Sequence, residues 1–406
     1  MAKFGLFKKS AAKSEPTSPD AVVEAAASVS AAAVLPGETK LEAPQPFLHM
    51  LRQVKTQPEA LALATPEAEY TFRQVFDISK KIASVLRDRG VKPGQVVATY
   101  VNPHENLQFM LALFHEATIG AIAPSRELTG LKDLVDWVVT VQPISGFPLD
   151  RTILVDEKFQ ADFDAAAVTL APNQYKSFDS YCRLVFSSGT TGTPKGIPFN
   201  ITDLEARNEF SRRLWMPVTP FMALIGVSAV TGFQTAYATL VTGMPYLSPG
   251  TGRENLNAIE KYQVASIKCS PIQLAELLAE VRKTPGKTDS LKVAQTAGSL
   301  LSNDLAQAFG NEVGCKVINL YGSTEVGLIA RRDSVSEDQM DVGTLVEGAE
   351  VEIVNDEDQP LPVGQTGTIR WHRDFMAREY FRNPKASAGA FKGRWFYPGD
   401  TGHVTQ

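Results

Sequence analysis

Cysteine, histidine and long apolar runs are all scarce in this chain of 406 residues. Its three cysteines, Cys182, Cys269 and Cys315, form no CxxC pair, which argues against a disulfide framework or a thiolate zinc site and predicts buried thiols in a reducing, cytoplasmic setting. The five histidines show no HExxH motif and no i, i+4 spacing, so they predict no metal site. Because no stretch of about eighteen apolar residues occurs, no transmembrane segment is predicted.

Neither positive nor negative charge is in large excess. The formal net charge is −5 and 21% of the residues are charged, so nothing in the composition favours a nucleic-acid partner. Hydrophobic residues make up 44% of the chain, which is ordinary for a globular protein. The length exceeds what one hydrophobic core usually holds, so two or three packed units are expected.

The pattern along the chain divides it into three regions. Residues 1–46 are rich in Ala, Ser and Pro and are predicted to be a disordered tail. Over 47–340, strand-like and helix-like runs alternate, as in VASIKCSP followed by IQLAELLAEVRKT, which predicts βαβ units and a mainly parallel sheet covered by helices. Over 341–406, apolar and polar residues alternate between turn residues, which predicts a small antiparallel β unit.

A helix is predicted in the segment that starts at Thr71. Thr71 is a suitable N-cap, apolar residues recur at helical spacing from Val75 to Leu86, and Gly90 is a suitable end.

The stretch LVFSSGTTGTPKGIPF, from Leu184 to Phe199, poses the functional question. An apolar strand ending near Phe186 leads into a loop of glycines, hydroxyls and one lysine, Lys195. Backbone amides freed by glycine form anion-binding concavities, so phosphate is one candidate ligand and a plain surface loop is the alternative. The GxxxxGK[ST] motif of P-loop NTPases does not fit, because Lys195 follows a proline and precedes a glycine.

Four motifs in order turn this loop into part of a family pattern. SSGTTGTPKG resembles the signature loop of the adenylate-forming superfamily, which includes acyl-CoA synthetases, coumarate-type ligases, luciferases and adenylation domains. TAGSLLS and NLYGSTEVG (Asn319 to Gly327) resemble its second motif region, and WFYPGDTG (Trp395 to Gly402) resembles its third. The hairpin region GTLVEGAEVEIVNDEDQPLPVGQTGTI also matches. The resemblance covers about residues 47 to 406 and implies two mainly parallel, helix-covered sheets in an AMP-binding core of two subdomains.

The resemblance implies a chemistry and a set of residues. The family joins a carboxylate to ATP, giving an acyl-adenylate and pyrophosphate, and usually passes the acyl group to a thiol of CoA or of a carrier protein. Lys195 and the loop hydroxyls would hold the β- and γ-phosphates, Thr324 would hydrogen-bond the α-phosphate, and Glu325 would hold Mg²⁺. Tyr321 would lie against adenine and Asp400 would accept hydrogen bonds from the ribose hydroxyls. The nucleotide positions implied are Ser187, Ser188, Gly189, Thr190, Thr191, Gly192, Thr193, Lys195, Gly298, Ser299, Asn319, Tyr321, Gly322, Thr324 and Asp400.

Outside the family pattern, plainer interpretations stay open: Tyr321 would be a core residue and Asp400 a turn residue.

For the substrate, the sequence predicts only a chemical class. The chain has no acidic residue between Pro217 and Gly250, where amino-acid activators of the family carry an Asp for the substrate ammonium. Since a buried ammonium without a carboxylate is unfavourable, an aryl or fatty acid is expected in a roomy apolar channel. The pocket positions implied are Ser228, Ala229, Gly232, Gly298 and Ser323.

In the family, a hinge and a small C-terminal α+β domain with a catalytic lysine follow the third motif, whereas this sequence stops at Gln406. The expectation is therefore weak or no adenylation by this chain alone, with thiol transfer dependent on that domain, supplied by a longer natural chain or in trans. The alternative hypothesis from another class is a nucleotide- or acyl-binding module without turnover.

Overall fold

The computed structural model describes residues 43–123, 131–168, 173–187, 195–215, 218–333, 335–338 and 340–405. Within these ranges the α-helices are α1 Met50–Thr56, α2 Phe72–Asp88, α3 Asn106–His115, α4 Glu157–Ala165, α5 Ile201–Trp215, α6 Val230–Thr242, α7 Gly252–Lys261, α8 Pro271–Lys283, α9 Asn303–Val313 and α10 Pro384–Ala390.

The strands in the same ranges are β1 Leu61–Ala64, β2 Glu69–Thr71, β3 Val96–Tyr100, β4 Ile119–Ile122, β5 Trp137–Thr140, β6 Thr152–Leu154, β7 Tyr181–Ser187, β8 Lys195–Asn200, β9 Phe221–Ala223, β10 Tyr246–Leu247, β11 Ser266–Cys269, β12 Val293–Ala297, β13 Lys316–Ser323, β14 Gly327–Arg332, β15 Thr344–Leu345, β16 Glu350–Val354, β17 Gly367–His372, β18 Phe391–Lys392, β19 Trp395–Phe396 and β20 Thr401–Gly402.

Two six-stranded, mainly parallel sheets form the body of the protein, which confirms the predicted α/β class. The first has the order β6-β5-β3-β4-β7-β8 and the second the order β15-β14-β13-β12-β11-β9. Strands β3, β4 and β11 are buried along nearly their whole length, as strands covered by helices on both faces must be. Helices α2 and α3 pack against the first sheet, and helices α7, α8 and α9 pack against the second.

Both large sheets contain an antiparallel hairpin. In the first sheet β7 pairs with β8, from Tyr181 opposite Asn200 to Ser187 opposite Lys195. In the second sheet β13 pairs with β14, ending at Ser323 opposite Gly327. One hydrophobic cluster joins the two hairpins, with Val185 and Ile197 from the first and Val326 and Ile329 from the second. The described strands of the two hairpins are therefore packed together in one cluster.

The third sheet is the antiparallel unit predicted near the end of the chain. It has the order β16-β17-β19-β18, with β20 paired to β17. Trp371 and Phe396 of this sheet belong to the same hydrophobic cluster as the two hairpins, so it packs beside them. Strand β15 pairs with β14, so residues 344 and 345 extend the second large sheet, and the third sheet starts at Glu350. A fourth sheet of three strands, β10-β1-β2, completes the fold.

Local signals in the sequence explain the element ends that were predicted. Helix α2 begins after Thr71, whose hydroxyl accepts from the Gln74 amide at 3.2 Å while the Gln74 side chain accepts from the Thr71 amide at 2.9 Å. Gly90, just beyond its end, has φ +96°, which favours glycine. Residues 1–42 of the predicted tail lie outside the described residues, and the packed chain already includes Gln45, which is 3% exposed.

Buried thiols are a further prediction that the fold confirms, since Cys182, Cys269 and Cys315 are all free and buried. Among the described helices, none has the length and apolar character needed to cross a bilayer.

Candidate active site

The turn between β13 and β14 carries Thr324 and Glu325, and Arg207 of α5 holds it in place. The Arg207 guanidinium donates to the backbone oxygens of Thr324 at 3.1 Å and Glu325 at 2.6 Å, and to that of Phe375 at 3.0 Å. Arg207 is 1% exposed and lies over the ring of Phe199. Burial lowers the pKa of Arg207 to about 9, so it is still protonated at neutral pH. A fixed cation thus satisfies carbonyls that the turn itself leaves unpaired.

Tyr380 connects the two hairpins. Its hydroxyl donates to Oε1 of Glu325 at 3.0 Å, and the Lys195 ammonium lies 4.8 Å from the centre of its ring. Burial, together with the negative charge of Glu325, raises the pKa of Tyr380, so the hydroxyl remains a donor at physiological pH. The backbone amide of Ala377 also donates to the Glu325 carbonyl at 2.8 Å. The orientation of Glu325 is therefore set by the segment after β17.

Tyr321 and Asp400 are brought together from β13 and from the residue before β20. The Tyr321 hydroxyl donates to Oδ2 of Asp400 at 2.7 Å, and its ring packs edge-on against Trp371 with the centroids 5.2 Å apart. Burial and this hydrogen bond raise the pKa of Tyr321. Asp400 is exposed, so its second oxygen stays open to a ligand. A flat ring beside an exposed carboxylate matches the surface that an adenosine would need.

A cavity of about 650 Å³ lies next to the β13–β14 turn, between the second sheet and helices α5, α6 and α8. Six of the sequence-predicted positions line it: Ala229, Gly298, Gly322, Ser323, Thr324 and Glu325. At Gly322 an added Cβ would lie 2.0 Å from the Gly327 oxygen, so the close approach of the two strands requires glycine there. Predicted nucleotide and substrate positions therefore share one cavity wall.

Other predicted residues lie elsewhere. Gly232 is packed inside the fold, where an added Cβ would lie 2.2 Å from the carbonyl oxygens of Ile225 and Gly226. Asn319 is 8% exposed, and its side-chain oxygen accepts from the Thr296 hydroxyl at 3.4 Å. Ser228 and Ser299 are exposed and do not line this cavity. Ser187 and Lys195 flank the loop between β7 and β8, whereas Ser188, Gly189, Thr190, Thr191, Gly192 and Thr193 lie outside the described residues.

Three residues of the site were missed from the sequence: Arg207, Tyr380 and Lys268. Lys268 lines the cavity from β11, is 5% exposed, and has its pKa lowered to about 7 by burial. The wall also carries Ser211, Gln234, Ser270 and Gln273, so it is more polar than the predicted apolar channel. The sequence signal that could have identified Lys268 is a lysine within an apolar run that is predicted to be a buried parallel strand. No comparable local signal existed for Arg207 or Tyr380, whose contacts with Glu325 are distant in sequence.

The donor set fits Mg²⁺ better than a metal bound by protein ligands alone. Within the described residues, no group of three or more His, Cys, Asp or Glu side chains could hold a metal ion. Glu325 is a single carboxylate, 8% exposed and oriented by Tyr380, at the cavity wall. Mg²⁺ is commonly held by one or two carboxylates together with substrate phosphates, which is the arrangement that Glu325 could complete.

Comparison with known proteins identifies the family. The model of the AMP-binding enzyme family matches residues 132–381, more than half of the chain. The chain belongs to the AMP-binding enzyme family. This AMP-binding enzyme is 24% identical over 377 residues to a crotonobetaine/carnitine–CoA ligase of Shigella flexneri, a match covering 82% of the chain and 72% of that relative. The family membership confirms the adenylate-forming resemblance.

Solved structures of AMP-binding enzymes share its fold. An O-succinylbenzoate–coenzyme A synthetase of Bacillus subtilis in complex with AMP superposes with a TM-score of 0.76 at 22% identity, covering 89% of this chain and 77% of that one. An anthranilate–CoA ligase in complex with anthranoyl-AMP gives a TM-score of 0.77 at 22% identity, covering 87% and 73%. At these identities the likeness shows the fold. The family to which the chain belongs works with ATP and Mg²⁺ and uses a thiol such as CoA as acceptor.

Proposed function

We propose that this AMP-binding enzyme activates a carboxylic acid other than an amino acid as its acyl-adenylate, for transfer to a thiol such as CoA or a carrier-protein pantetheine. The observation that carries the proposal is that Thr324 and Glu325, the predicted phosphate and Mg²⁺ residues, share a cavity wall with the predicted acyl-pocket residues Ala229 and Gly298. A carboxylate in that cavity would lie beside the position proposed for the α-phosphate.

The proposed reaction has two steps. A carboxylate oxygen attacks the α-phosphorus of ATP, and the bond from that phosphorus to pyrophosphate breaks, with the electron pair leaving on pyrophosphate. A thiol sulfur then attacks the acyl carbon, its proton is lost, and AMP leaves. Mg²⁺ held by Glu325 would neutralise phosphate charge when bound. Thr324 would donate its hydroxyl proton to the oxygens on which charge develops, and Lys195 would attract the departing pyrophosphate.

The same contacts explain how the site is kept in shape. Arg207 fixes the backbone of Thr324 and Glu325, so a hydroxyl and a carboxylate are presented without rearrangement of the turn. Tyr321 and Asp400, joined at 2.7 Å, form the surface proposed for adenine and ribose. Among the described residues that line the cavity, Glu325 is the only carboxylate, and this supports an acid without an ammonium group as the substrate.

The decisive experiment measures pyrophosphate release from ATP with a panel of aryl acids, fatty acids and amino acids, with and without a separately supplied C-terminal domain of the family. Release with aryl or fatty acids, and none with amino acids, is the expected result. A thiol-dependent rise in AMP, measured with CoA and with a pantetheine-bearing carrier protein, then identifies the acceptor. Tight ATP and acid binding with no pyrophosphate release from any acid, with or without the added C-terminal domain, would overturn adenylation and favour a binding module without turnover. A cytoplasmic location stays a prediction.

A further inference from the structure

The cavity wall contains an ionisable side chain, that of Lys268, to which the proposed adenylation assigns no role. Strand β11 alternates its side chains: Ile267 and Cys269 enter the core beneath α7 and α8, so Lys268 points to the opposite face of the sheet. Ala223 and Leu320 lie on that face of the sheet and pack with Phe210 of α5, and the face forms one wall of the cavity. Lys268 is thus a buried cation placed at the ligand space.

The register of the sheet places Lys268 away from the reacting end of the cavity. Lys268 is opposite Gln295 on β12, which is opposite Ile318 on β13. Gly322 lies four residues further along β13, about 13 Å, and β13 lies about 10 Å from β11 across the sheet, so the Cα atoms of Lys268 and Gly322 are about 16 Å apart. After the lysine stem is taken into account, a ring or several methylene groups fit between the ammonium and the Thr324 turn.

The electrostatics of the cavity favour an anion beside Lys268. The charged side chains among the described lining residues are Arg207 from α5, Lys268 from β11 and Glu325 from the β13–β14 turn. Burial of the Lys268 ammonium disfavours its charged form, and an anion brought into the same low-dielectric space would favour it.

We propose that Lys268 binds a second carboxylate on the acyl substrate, so that the acid activated is a dicarboxylate whose two carboxyl groups are separated by a ring or a short chain. This inference rests on the proposed function and deepens it, because it names the substrate class of the same cavity. Ala229 and Ala297 leave room for the skeleton, and Gln234 and Gln273 add hydrogen-bonding groups to the wall. Lys268 is a specificity residue in this proposal, and Thr324 and Glu325 face the other carboxylate.

The test compares acids that differ in one carboxylate. Adipate is paired with hexanoate, and terephthalate with 4-methylbenzoate, and binding is measured by titration calorimetry. For at least one pair, the wild type is expected to bind the diacid about tenfold or more tightly, which is about 1.4 kcal/mol. In Lys268→Met, whose side chain keeps the length without the charge, that preference should fall to near unity, while Lys268→Arg should retain much of it.

Two further measurements separate this role from a structural one. Because an anion raises the pKa of Lys268, which burial holds at about 7, diacid binding at about pH 8 should take up protons, seen as a buffer-dependent enthalpy that Lys268→Met lacks. The control is Lys55→Met on the exposed face of α1, which should match the wild type in every titration. Unfolding midpoints for each variant show whether the fold is retained.

The outcomes distinguish this inference from the adenylation itself. An equal preference for diacids in wild type and Lys268→Met, or no diacid preference at all, would overturn the role of Lys268. Equal weakening of both acids in Lys268→Met would place the ammonium on the reacting carboxylate and also overturn it. Pyrophosphate release is followed in the same samples. A Lys268-dependent preference for diacids without release supports the diacid site and counts against adenylation. Release without that preference supports adenylation and counts against the diacid site.

Discussion

The hydroxyl of Tyr380 donates a 3.0 Å hydrogen bond to Oε1 of Glu325, while the ring of the same tyrosine lies 4.8 Å from the ammonium of Lys195. One side chain from the segment after β17 therefore contacts the functional groups of both motif hairpins. Neither hairpin is near Tyr380 in sequence. The site depends on this segment as much as on the motifs that identify the family.

Tyr380→Phe should weaken both the fold and the site. Loss of a hydrogen bond to a carboxylate should lower the free energy of unfolding by about 1–2 kcal/mol, and the freed Glu325 should bind Mg²⁺–ATP less tightly. Denaturant unfolding and ATP titration with and without Mg²⁺ measure the two effects. Tyr262→Phe is the matched control, because its hydroxyl also donates to a carboxylate, that of Glu69 at 2.7 Å. It should lose similar stability and keep the nucleotide affinity, and a loss of ATP affinity in both variants would contradict a specific role for Tyr380.

Glu325→Gln tests the metal assignment. The amide keeps the shape of the side chain and removes the negative charge that attracts a hard divalent cation. ATP affinity at saturating Mg²⁺ should fall about tenfold, about 1.4 kcal/mol, whereas affinity in the presence of a chelator should change little. Glu276→Gln, on the exposed face of α8, serves as the control. An unchanged Mg²⁺ dependence in Glu325→Gln would show that the ion is held elsewhere.

Arg207→Met should destabilise the protein strongly. The change removes donors from three backbone oxygens around a buried arginine, so a loss of about 3 kcal/mol or more in the free energy of unfolding is expected. Arg207→Lys should restore only part of it, because an ammonium cannot reproduce the planar fork of donors. Arg52→Met, at an exposed arginine of α1, should change stability by less than about 0.5 kcal/mol. Similar losses in Arg52→Met and Arg207→Met would refute this account.

Asp400→Ala tests the ribose contact through the ligand. If Asp400 accepts from the ribose hydroxyls, the wild type should bind ATP about tenfold or more tightly than 2′,3′-dideoxy-ATP, since each hydrogen bond to a charged acceptor contributes about 1.5–3 kcal/mol. Asp400→Ala should lose this discrimination at little cost to stability, because the residue is exposed. Asp356→Ala, in an exposed turn, is the control. Retained discrimination in Asp400→Ala would place the ribose elsewhere.

Lys268 should leave a signature in the pH dependence of stability. Its pKa is about 7 in the folded protein and about 10.4 in an unfolded chain, so between these values the unfolded state binds more protons. The contribution of Lys268 to stability therefore rises with pH from about 7 to about 10, by at most about 1.4 kcal/mol per pH unit, and is lost as the pH falls. Lys268→Met should gain stability relative to wild type at pH 7 and approach it at pH 10. A constant difference across this range would be inconsistent with a buried, titrating lysine.

Much of the fold could be predicted because its signals are local. The Thr71 N-cap, the helical spacing in α2 and the apolar run of β11 depend on neighbours within a few residues, and the structure confirms each of them. The order of the motifs likewise predicted the family, which the match over residues 132–381 confirms. The boundary of the antiparallel unit was less accurate, since β15 pairs with β14 of the large sheet, and pairing partners are chosen by packing.

By itself the sequence determined the α/β class, the family and the residue types offered to a nucleotide, because these follow from periodicity and from motifs read along the chain. Only the tertiary structure decided which of them meet. Arg207 contacts the Glu325 carbonyl across 118 residues, and Tyr321 contacts Asp400 across 79. Lys268 became part of the site because strand alternation turned it to the cavity face of the sheet. Contacts at such separations are set by how sheets and helices pack, and a local pattern of residues does not encode them.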